Sequence, residues 1–244
     1  MLTIDIGNSS IKWAIWQDGQ PILAESNAYH KESIQHAFDE IFSGAPKQEK
    51  VWVACVASKD VEQALTQWMQ KHWSIEPVFL VSQGEFGGVL NAYPDPSELG
   101  ADRWAALLGA RSLFKTSVCI VDIGTAVTID LMSAEGTHRG GRIMPGIDMM
   151  RESLLHNTIG VNATEGDCPG FAINTADAVS SGIMHMLTAA LTAAYDSAKE
   201  RLGEDTRIII TGGMAETVIP YLKKIEVFHE PHIVLHGLFY ASEL

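Results

Sequence analysis

Residues 1–16, MLTIDIGNSSIKWAIW, share their pattern with residues 118–131, VCIVDIGTAVTIDL. In each stretch an apolar run ends in an Asp-Ile-Gly triplet, small residues follow, and a second apolar run begins; the triplets start at Asp5 and Asp122. Two apolar runs joined by a short Gly-containing segment are typical of a β-hairpin. The repeated pattern therefore predicts two similar units, each of which opens with a hairpin.

Alternating helices and strands are predicted after each hairpin. In the first half, we predict strands at 2–6, 11–16, 21–25, 51–58 and 78–82, helices near 31–43, 60–72 and 101–114, and an irregular loop at 87–100. In the second half, we predict strands at 118–122, 127–131, within 138–144 and at 207–211, and helices near 147–156 and 176–201. This order predicts an α/β protein with two domains, residues 1–115 and 116–244.

The composition excludes some classes of partner. Hydrophobic residues make up 46% and charged residues 19% of the 244 positions, which is typical of a folded protein. The net charge of −13 argues against a nucleic-acid partner, because phosphate backbones require clustered Lys and Arg. Cys55, Cys119 and Cys168 are far apart, and Cys55 and Cys119 lie in apolar runs, so we expect buried free thiols. Free thiols are typical of a reducing compartment such as the cytoplasm.

The uncharged stretch at 178–195, AVSSGIMHMLTAALTAAY, could be mistaken for a membrane span. Its Ser, Thr and His residues make it too polar for one, and it is short for one. Because Ile183, Leu187 and Leu191 recur every four residues, we predict a buried or interface helix instead. No basic lead or cleavage site surrounds Asp5, so no signal peptide is expected either.

The two Asp-Ile-Gly turns have the composition of phosphate sites. Backbone N–H groups and hydroxyls at 7–10 and 124–126 suit phosphate oxygens. Asp5 and Asp122 would repel phosphate directly, so a cation between carboxylate and phosphate is expected. One such turn could be a simple turn signal, but two copies favour a nucleotide clamp closed from two domains. The sequence contains neither GxxxxGK[ST] nor GxGxxG.

Further motifs resemble those of known kinases. IITGGMAE, residues 209–216, is similar to the adenosine-side Gly-Gly motif of the actin-like superfamily, which includes sugar kinases, acetate kinase and actin. ELGADRW (98–104) resembles the GxDR motif of type III pantothenate kinases, and NAYPDPSELG (91–100) supplies the upstream tyrosine. DIGTAVT, GGRIMPG (140–146) and NTADAVSSG (174–182) resemble three more motifs of that family. The resemblance extends over nearly the whole chain.

The resemblance implies both a fold and a reaction. The fold would consist of two ribonuclease H-like (actin-like ATPase) domains with mixed sheets flanked by helices. The reaction would be ATP-dependent phosphorylation of pantothenate at its primary hydroxyl to 4'-phosphopantothenate, the first step of coenzyme A biosynthesis (EC 2.7.1.33). The implied cofactors are ATP as co-substrate, Mg²⁺ or a similar divalent ion, and K⁺ or NH₄⁺. A homodimer without a nucleic-acid or membrane partner is also implied.

The family's functional residues can be assigned motif by motif. The catalytic proton acceptor would be Asp102. The substrate-binding residues would be Tyr93, Gly100, Ala101, Asp102, Arg103 and Thr175. The ATP-binding residues would be Asp5, Ile6, Gly7, Asn8, Ser9, Ser10, Ile11, Lys12 and Thr125, and Asp122 would hold the monovalent cation.

Each assignment has a simpler alternative. Asp102 and Arg103 could be a helix cap and a surface ion pair, Thr175 could be a helix N-cap, and Lys12 could be an exposed strand residue. An Asp in the first turn of a helix is expected to stay ionised, which suits orientation of a hydroxyl better than strong base catalysis. Arg103 suits a substrate carboxylate because a guanidinium pairs with it bidentately.

Other candidates and other functions stay open at this point. His138, Arg139 and Arg142 border the GGRIMPG turn and could face phosphates. His229, His232 and His236 have ligand-like spacing, but no acid cluster accompanies them, so surface or core positions are favoured. The alternative functions are another actin-like small-molecule phosphotransferase or a polyphosphate phosphatase, and a nucleotide-binding regulator.

Overall fold

The structure, a computed structural model, describes residues 1–30, 33–161 and 165–244. Residue contacts divide the chain into two units. The first comprises 1–115, 136–138 and 232–244, and the second comprises 116–135 and 139–231. The range 1–115 equals the predicted first domain. The predicted second domain, 116–244, also contained residues 136–138 and 232–244, which pack within the first unit.

The elements follow the predicted alternation. Up to residue 115 they are β1 (Leu2–Ile6), β2 (Ser10–Gln17), β3 (Gln20–Ala28), α1 (Ile34–Phe42), β4 (Val51–Cys55), α2 (Lys59–Trp73), β5 (Val78–Phe79), β6 (Glu85–Phe86), β7 (Val89–Leu90) and α3 (Ala101–Leu113). They continue with β8 (Val118–Ile123), β9 (Ala126–Met132), β10 (His138–Pro145), α4 (Ile147–Asn157), α5 (Thr175–Leu202), β11 (Arg207–Thr211), α6 (Ala215–Val218), β12 (Val227–His229) and α7 (Ile233–Ser242). The predicted start of the first helix, residues 31 and 32, lies outside the described residues.

Both units contain the same five-stranded mixed sheet. The strand orders are β3-β2-β1-β4-β5 and β10-β9-β8-β11-β12. The hairpin strands β1–β2 and β8–β9 are antiparallel, whereas β1–β4 and β8–β11 are parallel. In the hairpins, Asp5 is opposite Lys12 and Asp122 is opposite Thr128. The predicted α/β class, mixed sheets and paired hairpins are confirmed.

Each sheet is covered by helices over its own hydrophobic core. In the first unit, all of β1 is buried, and helices α1 and α2 contribute Phe38, Phe42, Leu65 and Trp68 to the core. Full burial of one such large side chain stabilises the fold by about 1.5–3 kcal/mol. The core therefore holds β1, and with it the Asp5 turn, in one register.

Helix α5 covers the sheet of the second unit. Its buried face includes Ile183, Leu187 and Leu191, so the predicted amphipathic helix is confirmed. Its N-cap is Asn174, whose side-chain oxygen accepts the N–H of Asp177. The alternative interpretation of Thr175 as the cap is therefore wrong; Thr175 is the first helical residue.

Helices α3 and α7 cross at two glycines in the first unit. A Cβ atom built on Gly237 would lie 1.8 Å from the carbonyl oxygen of Ala105, and one built on Gly109 would lie 2.1 Å from that of Ile233. The helix backbones can approach this closely only because neither residue has a side chain. This crossing fixes α3, whose N-terminus carries the GADR segment.

Some predicted details differ from the structure. The strand predicted at 51–58 ends at Cys55, because Ser58 is the N-cap of α2, and the strand predicted at 78–82 ends at Phe79. The loop predicted at 87–100 contains β7 and a 3₁₀ turn at Pro96–Glu98. All three cysteines are free; Cys119 is buried as expected, but Cys55 and Cys168 are half-buried. Among the described helices, none has the length and apolar character to span a membrane.

Candidate active site

Asp102 lies in the first turn of α3, directly after the residue that opens the helix. Gly100 is the N-cap, and its carbonyl oxygen accepts the N–H of Trp104 at 2.9 Å. The Oδ1 atom of Asp102 accepts the N–H of Arg103 at 2.7 Å. A Cβ atom on Gly100 would lie 2.6 Å from this oxygen, so glycine leaves the space that the carboxylate needs. The carboxylate is thereby oriented at the positive end of the helix dipole.

Arg103 and Tyr93 are in direct contact within the first unit. The guanidinium Nη1 atom donates a hydrogen bond to the Tyr93 hydroxyl at 3.1 Å, and the guanidinium carbon lies 5.7 Å from the ring centroid. Arg103 is only 6% exposed, so its charge is largely removed from water. A buried guanidinium pairs more strongly with a carboxylate than an exposed one does.

His138 also contacts Tyr93, and the sequence did not indicate this contact. Its ring stacks on the Tyr93 ring with centroids 5.9 Å apart and planes inclined by 15°. Its Nδ1 atom accepts the N–H of Ala92 at 3.4 Å, and the residue is 1% exposed. Sequence analysis placed His138 with Arg139 and Arg142 as a phosphate-facing group, but the structure buries it against the tyrosine.

The loop that carries Tyr93 is held by its own hydrogen bonds. The Asn91 side chain accepts the N–H of Tyr93 at 3.0 Å, and the Asn91 N–H donates to Gly84 at 2.8 Å. Asp95 accepts the N–H and the hydroxyl of Ser97, and these hydrogen bonds lower the pKa of Asp95. These hydrogen bonds hold the loop that carries Tyr93 in a defined position.

A cavity of about 300 Å³ borders the GADR segment. Its lining includes Val56, Lys59, Leu99, Gly100 and Ala101. The Lys59 ammonium pairs with Glu62 at 2.8 Å. The cavity provides space for a small molecule beside the start of α3.

The first Asp-Ile-Gly turn lies at the end of β1 and is held by Tyr29. The Gly7 N–H donates to Ser10 at 3.0 Å, and the Tyr29 hydroxyl donates to the Gly7 carbonyl at 2.7 Å. Asn8 and Ser9 are exposed at the tip, whereas Asp5 is buried. The predicted ATP residues Ile6 and Ile11 have buried side chains, so only their backbones can contact a ligand. Lys12 is half-buried on β2 opposite Asp5.

The second turn brings three sequence motifs together within the second unit. The N–H of Gly146, which ends GGRIMPG, donates to the Thr125 carbonyl at 3.0 Å. The N–H of Met214, which follows the Gly-Gly pair, donates to the Ile123 carbonyl at 3.0 Å. Gly212 has φ of +96° and lies so close to Asp122 that a Cβ atom would be 2.4 Å from Oδ1. Thr125 is exposed at the tip of the turn.

Thr175 lies apart from these turns in sequence, at the start of α5. It is exposed, and it borders an open apolar cavity of about 730 Å³ that is also lined by Leu154, Ile173 and Met186. The histidines at 229, 232 and 236 do not form a metal cluster; across the described residues, no group of three His, Cys, Asp or Glu side chains could hold a metal ion. His236 instead contacts the Trp16 ring.

Comparison with known proteins decides the family. The family model described as type III pantothenate kinase matches residues 1–197. The chain belongs to the type III pantothenate kinase family. It is similar to the type III pantothenate kinase of Nitrosococcus oceani, with 37% identity over 98% of this chain and 92% of that protein. It is also similar to that of Thiobacillus denitrificans, with 35% identity over 97% and 94%.

Solved structures support the same fold. The chain is similar to a putative Baf family transcriptional activator from Campylobacter jejuni, with a TM-score of 0.60, 19% identity and coverage of 100% of this chain and 98% of that one. A putative 2-dehydro-3-deoxygalactonokinase from Sinorhizobium meliloti gives a TM-score of 0.57 at 14% identity, with coverage of 99% and 98%. At these identities the likeness concerns the fold alone. The predicted ribonuclease H-like, actin-like fold and the predicted kinase family are confirmed.

Proposed function

We propose that this chain transfers the γ-phosphoryl group of ATP to the primary hydroxyl of pantothenate, the reaction EC 2.7.1.33, in the cytoplasm. The observation that carries the proposal is the GADR segment, in which Asp102 and the buried Arg103 stand side by side at the start of α3. Phosphoryl transfer depends mainly on positioning and charge neutralisation, and these two side chains supply a group for the attacking hydroxyl and a group for a carboxylate.

Asp102 orients the attacking hydroxyl in this proposal. One of its oxygens accepts the N–H of Arg103, and this hydrogen bond fixes the orientation of the carboxylate. A substrate hydroxyl that donates to this carboxylate is aligned for attack, and its proton passes to Asp102 as the phosphorus–oxygen bond forms. Gly100 and Ala101 line the neighbouring cavity and give the substrate access to the backbone of this turn.

Arg103 binds the pantothenate carboxylate in this proposal. The Tyr93 hydroxyl accepts one guanidinium hydrogen, and the His138 ring stacks on the Tyr93 ring. This support restricts the guanidinium before the substrate arrives, which reduces the entropy lost on binding. A guanidinium is suited to a carboxylate because the two can pair bidentately.

The two Asp-Ile-Gly turns are assigned to ATP. Asn8 and Ser9 in the first turn and Thr125 in the second are exposed donors beside backbone N–H groups, which suits phosphate oxygens. Asp5 is the carboxylate beside the first turn and would hold a divalent ion such as Mg²⁺, which neutralises phosphate charge. Gly212 and Gly213 would leave space for the adenosine.

Asp122 is assigned to the monovalent cation from its place in the second Asp-Ile-Gly turn. Gly212 packs closely against it, since a Cβ atom there would lie 2.4 Å from Asp122 Oδ1 and from the Ile123 carbonyl oxygen, so no side chain covers the carboxylate from that position. Carboxylate and carbonyl oxygens are the ligands that hard cations take. A K⁺ or NH₄⁺ ion bound at Asp122 would offset the negative charge of this carboxylate, which otherwise repels phosphate.

The proposed activity is tested by ATP consumption with pantothenate, with and without K⁺. We expect pantothenate-dependent turnover that K⁺ stimulates, and we expect Asp122→Asn to lose about tenfold or more of the stimulated rate, because a charge-assisted contact is worth about 1.5–3 kcal/mol. Asp205→Asn, at an exposed position, is the matched control. Absence of pantothenate-dependent turnover both with and without K⁺ would overturn the proposed function. Unchanged K⁺ stimulation in Asp122→Asn would remove only the assignment of Asp122 to the cation.

We also propose a homodimer in which the surface around Thr175 is the interface. Phe171 and Ile173 are fully exposed, and Leu154 and Met186 expose apolar surface beside the same cavity. Contiguous exposed apolar surface on a folded protein commonly marks an interface. Thr175 would then be able to contact pantothenate bound to the partner subunit.

Sedimentation equilibrium tests the dimer. The unaltered chain should sediment as a dimer, and Met186→Lys should shift it toward monomer, because a charge would be buried at the interface. Ile22→Lys, which replaces an exposed apolar residue on β3, should leave the dimer intact. A monomeric wild-type chain, or a dimer equally tolerant of both changes, would contradict this assignment of the interface.

A further inference from the structure

A second polar cavity lies in the second unit, between the sheet and the C-terminal half of α5. Its volume is about 150 Å³. Ile129 and Leu131 form its apolar part, and the charged part consists of Arg139, Arg142 and Arg201. The hydroxyl-bearing Ser197 also lines it. We call this group the arginine cavity.

Two of these arginines lie three positions apart on strand β10, and both line the cavity. Side chains alternate across a regular strand, so residues 139 and 142 would point to opposite faces. Gly140 lies between them with φ of +89°, a conformation that interrupts the alternation. The third arginine, Arg201, follows Ser197 by four residues on α5, and residues at this spacing share a helix face.

The arginines of the cavity have no paired carboxylate among the described residues. Within residues 1–30, 33–161 and 165–244, none of the three guanidinium groups has a carboxylate within ion-pair distance. The three arginines are exposed and line one cavity, in a chain whose net charge is −13. An anion in the cavity would neutralise this positive cluster, and guanidinium groups bind phosphate oxygens bidentately.

The arginine cavity is separate from the second Asp-Ile-Gly turn. Ile129 and Leu131 in the cavity lie on one face of β9, whereas Thr128, which pairs with Asp122 at the turn, lies on the opposite face. The cavity and the Asp122 side chain are therefore on opposite faces of the sheet. An anion in the cavity would not occupy the phosphate position proposed for ATP.

We propose that the arginine cavity binds a small phosphate-type oxyanion, either inorganic phosphate, diphosphate or the phosphoryl group of a metabolite. Its volume of about 150 Å³ decides the size of the ligand. Pockets for whole cofactors measure about 300–1,000 Å³, so the cavity admits a phosphate group but not an entire nucleotide. The bound anion links β10 to α5 and stabilises the second unit.

Amide NMR of the full chain, titrated with inorganic phosphate and then with diphosphate at constant ionic strength, tests the proposal. We expect saturable shifts at Gly140, Gly141 and Ser197. Each of Arg139→Gln, Arg142→Gln and Arg201→Gln should weaken binding by about tenfold, because each removes a charge-assisted contact. The paired change Lys223→Gln with Lys224→Gln, at exposed positions, should leave the affinity unchanged.

Thermal unfolding supplies a second measurement. Diphosphate should raise the Tm of the unaltered chain and of the lysine control but not of the triple arginine variant. Shifts confined to residues 7–10, 124–126 and 212–213 would overturn the proposal, because the anion would then occupy only the nucleotide turns. Dissociation of a dimer in the triple variant without any effect of phosphate would also overturn it, since the arginines would then face carboxylates of a second copy.

Discussion

Replacing Asp102 by Asn should lower kcat for pantothenate phosphorylation by about 10²–10⁴-fold, the range that positioned acid–base groups typically contribute. An amide keeps the shape of the side chain and can still accept the N–H of Arg103 through its oxygen. It cannot take the proton of the hydroxyl as the new bond forms. The measurement is steady-state turnover with saturating ATP and pantothenate.

The control for this change is Glu98→Gln, which also removes one carboxylate charge and lies on the exposed 3₁₀ turn just before the motif. It should retain near-normal turnover. Glu98→Gln should unfold within about 0.5 kcal/mol of the unaltered chain, as surface substitutions usually do. Asp102→Asn should cost about 0.3–1 kcal/mol, because it removes a negative charge from the N-terminus of α3. Near-normal kcat in Asp102→Asn would exclude this carboxylate from the chemistry, whatever its position in the motif.

Replacing Gly237 by Ala should destabilise the first unit by about 2 kcal/mol or more. The new Cβ atom would lie 1.8 Å from the Ala105 carbonyl oxygen, and the contact is with helix backbone, which cannot rotate away. Overpacking of this kind typically costs about 1–3 kcal/mol and occasionally more. The higher helix propensity of Ala offsets only about 1 kcal/mol, so the steric clash decides the sign.

Thermal denaturation measures this effect. A loss of 2 kcal/mol corresponds to a Tm lowered by about 4–8 °C in a chain of this size. Gly44→Ala is the matched control, because a Cβ atom there would meet no atom within 4 Å. If Gly237→Ala unfolded at the same temperature as the control, the close crossing of α3 and α7 would not be a feature of the folded chain.

The hairpins were predictable because their signals are local. Apolar runs and the Gly-containing turns specify β1, β2, β8 and β9 within a few residues of where they occur. Helix α5 was predictable for the same reason, since a four-residue apolar spacing defines its buried face. Strand ends were less predictable, because the end of β4 at Cys55 depends on the cap of the following helix.

The support behind the candidate site could not be predicted from local pattern. His138 is 45 residues from Tyr93 in sequence and reaches it because residues 136–138 pack within the first unit. The approach requires Gly136, where a Cβ atom would lie 2.0 Å from the Gly88 carbonyl oxygen. A histidine next to a glycine-rich motif indicates phosphate contact when only neighbours in sequence are considered.

The sequence alone determined the two-hairpin plan, the kinase family and the identity of the candidate residues, because these depend on local spacing and on motifs of a few adjacent positions. Only the tertiary structure decided that His138 stacks on Tyr93, that Gly212 borders Asp122, and that α7 packs against α3. These contacts join segments tens of residues apart. They are selected by the burial of apolar surface and by backbone approaches at glycine, and neither leaves a periodic signal in the sequence.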